Sequence, residues 1–221
     1  MGSSWSGWSR VSGSTPSAPT STIRDYRLLR NATLFDDFET YSVGEFPSGG
    51  GWVIEWETGG SPEASVSDSA WMSYSRSFKI RDYRVSNPAL SSISAKYIGY
   101  DIWINVSENL SPDGYTKISL TESRILNEDA AVIFEADGDI VACGTVIGSW
   151  TPKRFTHIRV LLNREESNPS FIVWVNGSLY ESSFSTSQPP QKLQLFDAIA
   201  IEVSDQITYV DDVRVFFLEN R

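Results

Sequence analysis

Three groupings in the sequence combine residue types that could do chemistry. Trp103 stands between Asp101 and Asn105, and in an extended chain these three side chains share one face, because successive residues of a strand point to opposite sides. An exposed indole there could stack on the apolar side of a pyranose ring while the carboxylate and the amide fix its hydroxyls. Trp71 and Tyr74, beside the Lys79 and Arg81 face of the next strand, would supply a second wall or a carboxylate-binding edge. In the second grouping, Glu135, Asp137 and Asp139 alternate with Ala136 and Gly138. Hydrolysis of a glycosidic bond needs two carboxyl groups about 5–5.5 Å apart, but Ala136 and Gly138 set this trio on a turn, which favours a solvated hairpin tip. The third grouping is the pair Asp211-Asp212, which interrupts an apolar run near the end of the sequence. Alternation sends one of the two into solvent and leaves the other to accept hydrogen bonds from turn amides.

The composition narrows the chemistry further. His157 is the only histidine, so a serine nucleophile would have to share it as its base. No catalytic residue is therefore expected. Cys143 is the only cysteine, which excludes an intrachain disulfide and a zinc site of ordinary Cys/His spacing. With 28 acidic against 18 basic residues the net charge is -10, and phosphate backbones would be repelled, so nucleic acid is not an expected partner. Apolar runs are strand-sized rather than about 20 residues, and the first residues lack the basic start and apolar stretch of a signal peptide. Neither membrane insertion nor an export signal is read from this chain.

The elements that must position these groups are strands. Aromatic residues make up 13% of the 221 residues, Val and Ile are plentiful, and no apolar stripe of period 3.6 is sustained. Residues 1–30 are rich in Ser, Gly, Pro and Thr and cannot bury enough surface to fold alone. They read as a linker or as an arm that docks on a neighbouring copy through Trp5 and Trp8. Residues 31–221 read as one domain of short strands separated by turn residues. Tyr100, Ile102, Ile104 and Val106 predict a core face with Asp101, Trp103 and Asn105 opposite. Ile158, Val160 and Leu162 predict another, with Phe155, His157, Arg159 and Leu161 on the reverse. Asp137-Gly138 and Asn176-Gly177 between apolar runs predict hairpins. A strand is expected from Ile207 to Phe217, and Trp52, Trp56, Trp150 and Trp174 are assigned to the core.

Three stretches carry a family likeness. Phe35-Asp36-Asp37-Phe38-Glu39 followed by Gly44, Pro47 and Gly51-Trp52 is the first. The second is Trp150, then Phe155-Thr156-His157-Ile158-Arg159-Val160, then Trp174-Val175-Asn176-Gly177. Tyr209-Val210-Asp211-Asp212-Val213-Arg214-Val215 is the third. In this order they resemble the concanavalin A-like lectin and glucanase superfamily, especially its laminin-G-like and carbohydrate-binding jelly rolls. The resemblance implies an all-β, two-sheet antiparallel sandwich and a structural role for His157. It also implies a calcium ion held by Asp37 and Glu39 with Asp211 or Asp212, helped by main-chain carbonyls. Glu135-x-Asp137-x-Asp139 looks like the Glu-x-Asp-x-Glu signature of family-sixteen glycoside hydrolases, but with Asp at its last position. Lyases on this fold use a Tyr or His base beside Arg, leaving hydrolase or lyase as the minor alternative.

The function expected from these readings is noncatalytic binding of a glycan or polysaccharide on the concave sheet, outside a cytoplasm. Its site would comprise Trp103, Asp101, Asn105, Trp71, Tyr74 and Arg81, with a structural Ca2+ elsewhere. The alternative is a structural subunit of a virion or surface filament that self-associates through its arm.

Overall fold

β-Branched and aromatic residues at alternate positions need a partner layer for one face only, and two sheets packed face to face satisfy every strand at once. The computed structural model describes residues 8–9, 32–122, 130–164, 170–184 and 195–218. They form the strands β1 (Trp8–Ser9), β2 (Ala32–Asp36), β3 (Val53–Glu57), β4 (Glu63–Ser67), β5 (Ser77–Arg81), β6 (Tyr83–Asn87), β7 (Tyr97–Asn109) and β8 (Tyr115–Thr121). The remaining strands are β9 (Ala130–Glu135), β10 (Asp139–Ala142), β11 (Thr145–Ser149), β12 (Thr156–Asn163), β13 (Ser170–Val175), β14 (Ser178–Phe184), β15 (Ala198–Ser204) and β16 (Gln206–Leu218). Among the described residues the one complete helical element is a 3-10 turn at Ser48–Gly50.

A nine-stranded sheet runs β1-β14-β13-β12-β7-β16-β5-β4, with β2 also on β16, and a seven-stranded sheet runs β11-β10-β9-β8-β15-β6-β3. All pairs are antiparallel. The protein is therefore an all-β, two-sheet sandwich. β16 is the hinge of the larger sheet, pairing along its length with β7 and, on its other edge, with β5 at Thr208–Val210 and β2 at Val213–Phe216. Its register shifts between Asp211 and Arg214, where Asp212 takes a φ of 49°. That bulge explains how two adjacent acids fit inside a strand.

The core lies between the sheets. From the larger sheet, Tyr100, Ile102, Ile104 and Val106 of β7 and Ile158, Val160 and Leu162 of β12 point into it; from the smaller come Val85, Ile118, Leu120, Val132, Phe134, Ile199 and Ile201. Each fully buried aliphatic or aromatic side chain contributes roughly 1.5–3 kcal/mol. The two expected hairpins form as β9–β10 and β13–β14, with positive φ at Gly138, Asn176 and Gly177. Two of the four tryptophans assigned to the core are misplaced by that assignment. Trp52 and Trp150 are buried in it, whereas Trp174 packs on the outer face of the larger sheet and Trp56 is 36% exposed. Strand parity and the bulge in β3 between Ile54 and Trp56 turn these two rings outward.

At the opening end, Asp36 rather than its neighbour Asp37 is buried. Its carboxylate accepts hydrogen bonds from Phe38 N (3.0 Å), Tyr41 Oη (3.1 Å) and Trp52 Nε1 (2.9 Å), fixing the rings of Phe38, Trp52 and Phe78 against one another. Burial, followed by the Asp36 charge, pushes the Tyr41 hydroxyl up to about 12.

Candidate functional site

The outer face of the smaller sheet carries an unusual series of side chains. Register sets Trp56, Arg84, Glu202, Lys117, Ile133, Val141 and Val146 side by side across all seven strands. One step along the strands, Ser86, Ala200, Ser119 and Ala131 form a row of small residues. These four face away from the core, yet all are buried, as is Thr121 beside them. Side chains this small cannot shield themselves, so neighbouring groups of the protein cover this row. Ser119 Oγ is buried without a hydrogen-bond partner, which costs stability unless something else satisfies it.

The charged side chains beside that row form one network. Glu202 is its hub, accepting from Arg84 Nη1 at 3.1 Å, from Lys117 Nζ at 3.0 Å and from the Tyr115 hydroxyl. Arg84, 1% exposed, also pairs through Nε with Glu55, and its guanidinium lies 4.6 Å from the centre of the Trp56 ring. Burial alone would raise the Glu202 carboxyl, but Lys117, Tyr115 and Arg84 together hold it below the usual range. Burial pushes the Tyr115 hydroxyl far up, and its bond to Glu202 adds to that. Burial also lowers the Lys117 ammonium. Two cations and two carboxylates pair off, leaving a neutral polar rim with an aromatic ring at one end and aliphatic side chains at the other. Such a surface is suited to hold a molecule with both hydroxyls and apolar ring faces. Glu135 and Asp139 sit at its edge, while Asp137 caps the β9–β10 turn through the Asp139 amide. Burial, then Asp137 and Asp139, raises the Glu135 carboxyl.

The residues singled out from sequence lie elsewhere. Asp101, Trp103 and Asn105 occupy the outer face of the larger sheet, on β7. Trp103 packs against His157 with ring centres 4.7 Å apart, and Asp101 binds His157 Nε2 at 2.5 Å and Arg159 Nε at 2.7 Å. Burial would raise the Asp101 carboxyl, yet His157 and Arg159 lower it overall. Asn105 is buried with Oδ1 unpartnered. Asp211, the register partner of Trp103, accepts from Met72 N and Ser73 N at 2.7 and 2.9 Å, so the β4–β5 loop bearing exposed Trp71 and Tyr74 is tied down beside Trp103. Arg81 is two rows away, at the far end of β5, next to Glu63 in register. The residues around Trp103 and the tied loop form one neighbourhood; Arg81 does not join it. The larger sheet is also filled by bulk: Leu161, Ile172 and Phe216 cluster with Tyr97, Trp174 and Leu218 on its outer face. A Cβ on Gly99 would meet the Phe216 ring at 2.6 Å, so glycine is required beneath that ring.

Glu55, Arg84, Tyr115, Lys117, Ser119 and Glu202 were not legible as a site, since they come from β3, β6, β8 and β15. The Tyr-x-Lys-x-Ser alternation of β8 is the one local signal that three polar groups share a face. Of the assembly residues, Trp5 lies outside the described residues, and Trp8 is described only through its backbone pairing with Phe184.

The expected calcium ligands do not fit a metal site. Among the described residues, no three His, Cys, Asp or Glu side chains are grouped to hold an ion. Glu39 accepts from Ser75 N (2.8 Å), Ser75 Oγ (2.9 Å) and Arg76 N (2.7 Å). Asp211 is taken by the amides of the same loop, Asp212 Oδ1 accepts from Ser73 Oγ at 3.2 Å, and Asp37 Oδ1 accepts from Glu39 N at 3.2 Å. A cation would face hydrogens at these oxygens.

No protein-family model matches the chain, and no curated protein matches it. Solved structures do. The chain is similar to a sialidase with TM-score 0.60 and 15% identity, over 85% of this chain but only 19% of the sialidase. It is similar to domain 4 of AbnA, an extracellular arabinanase from Geobacillus stearothermophilus in complex with arabinotriose, with TM-score 0.52 and 12% identity over 85% of this chain and 92% of that one. The binding domain of botulinum neurotoxin DC, in complex with rat synaptotagmin II, gives TM-score 0.51 and 12% identity over 88% and 50%. At these identities the likeness shows the sandwich fold alone.

Proposed function

We propose that this chain is a noncatalytic carbohydrate-binding module, acting outside a cytoplasm, that holds an uncharged saccharide on the outer face of its smaller sheet. One observation carries the reading. The charge-balanced row of Arg84, Lys117 and Glu202 ends in the ring of Trp56, which is 36% exposed and lies 4.6 Å from the Arg84 guanidinium. A pyranose face would rest on the Trp56 ring while its hydroxyls meet the polar groups beside that ring. Arg84 and Lys117 are already neutralised by Glu55 and Glu202, and the chain carries a charge of -10. A uronate or sulfated polymer would have to displace a buried carboxylate against that charge, so the ligand class is neutral.

The same contacts support binding rather than turnover. Tyr115 is a poor base because burial and Glu202 keep its proton in place, and Glu202 has both oxygens engaged. The similarity to an arabinanase domain in complex with arabinotriose supports the choice of a saccharide. A screen of neutral and acidic oligosaccharides against the full chain tests the proposal. Binding confined to acidic glycans would overturn the ligand class, and absence of glycan binding would overturn the function.

A second reading rests on the pairing of Trp8–Ser9 with Phe184 and Ser183 of the same chain, which covers β14 with a segment that a neighbouring copy could supply by exchange. A strand added to an open edge is a means of self-association. Light scattering on the full chain and on a chain beginning at Ile23 separates the two: oligomers that vanish on shortening would favour an assembly subunit.

A further inference from the structure

The main-chain carbonyls of Glu39 and Tyr41, just after β2, converge on a single donor. Arg76 Nη1 donates to Glu39 O at 2.8 Å and also to Tyr41 O. In the other direction, the Glu39 carboxylate accepts the amides of Ser75 and Arg76. Chain entering the sandwich and the loop entering β5 thus clasp one another reciprocally, and Asp211 of β16 holds the same loop at Met72 and Ser73. Two converging carbonyls and a carboxylate are what a hard cation would use to join these three segments. Here a guanidinium already supplies the positive charge, as donors in fixed directions.

A second guanidinium is used in the same way elsewhere in the molecule. Arg164 donates through Nε and Nη2 to Ala95 O, through Nη2 to Ile93 O at 3.0 Å and through Nη1 to Phe196 O at 3.3 Å. Loop carbonyls that would otherwise lack donors are gathered on an arginine in both places.

We infer that Arg76 takes the place of a structural metal ion, so that the junction of β2, the β4–β5 loop and β16 is held by a built-in cation and folds independently of calcium. The loop carrying Trp71 and Tyr74 is then permanently ordered by protein groups alone.

The test is thermal unfolding of the full chain in EDTA and in millimolar calcium. The expected result is a midpoint that shifts by less than about 1 °C between them, whereas a rise of several degrees in calcium would overturn the inference. Arg76→Gln should lower the midpoint by about 5 °C, and Arg76→Lys should recover most of it, because an ammonium can still donate to both carbonyls. A Gln variant as stable as the parent, or a Lys variant no better than Gln, would also overturn it. If Arg76→Gln does not fold, the calcium comparison on the unaltered chain decides alone.

Discussion

The two outer faces of the sandwich follow the same alternation rule and end up as different surfaces. On the larger sheet, Trp103, Trp174, Leu161, Ile172 and Phe216 are bulky enough to fill their own face, and the pair of His157 and Arg159 around Asp101 sits partly in water. On the smaller sheet, alternate positions of β6, β8, β9 and β15 carry Ser or Ala, so the charged row beside them is sunk among neighbours instead of standing above them. The same kinds of ion pair therefore have different weights. A pair open to solvent contributes little, while one withdrawn from it leaves an uncompensated charge when broken.

The largest expected effect follows from that difference. Glu202→Ala should destabilise the fold by about 3 kcal/mol, because Arg84 and Lys117, with side chains 1% and 14% exposed, lose their shared partner where little water can replace it. In urea unfolding, Asp101→Ala should cost only about 1 kcal/mol, since the His157 and Arg159 side chains are 21% and 27% exposed and water can replace the carboxylate. Equal losses would erase the distinction between the faces. Next in size is binding: titration calorimetry should find that Trp56→Ala weakens the saccharide about tenfold, whereas Trp103→Ala leaves affinity within about twofold. The opposite order would move the site to the larger sheet.

A smaller effect separates the carboxylates by pH. Asp101 and Glu202 both have folded values below their ordinary 3.8 and 4.5. Their contributions are fully present above those ordinary values and are lost as the pH falls through the lower, folded ones. The stability gaps between the parent and Asp101→Asn or Glu202→Gln should hold from pH 7 to about 5 and narrow below about 4. A gap that widens on acidification would mean that the carboxylates are not held ionised.

The fold was legible where information is local. Alternation in β7 and β12, and the Asp-Gly and Asn-Gly turns, located core faces and hairpins because each depends on a few consecutive residues. Acidic residues near both ends of the domain are compatible with a cation or with amide donors, and only the fold reveals that the loop at 72–76 offers amides to them. Trp56 and Trp174 were assigned inward on size alone, whereas parity and a bulge decide which way a ring points. The Arg84–Glu202 contact spans 118 positions of sequence. No spacing rule reaches that far, and the burial of Ser86 and Ser119 depends on what flanks them rather than on their own identity.

The placing of β16 has a consequence for how the molecule comes into being. The last described strand lies in the middle of its sheet, between β7 on one side and β5 and β2 on the other. During synthesis, β7 can pair with β12 early, but β2 and β5 must wait for residues 206–218 before either finds this neighbour. Strands made first thus wait for a late neighbour, and the half-built sheet exposes a long apolar edge until residues 206–218 are made. Closure of this sandwich depends on β16, so refolding should be slow, and a nascent chain stalled before residue 206 should remain sensitive to protease.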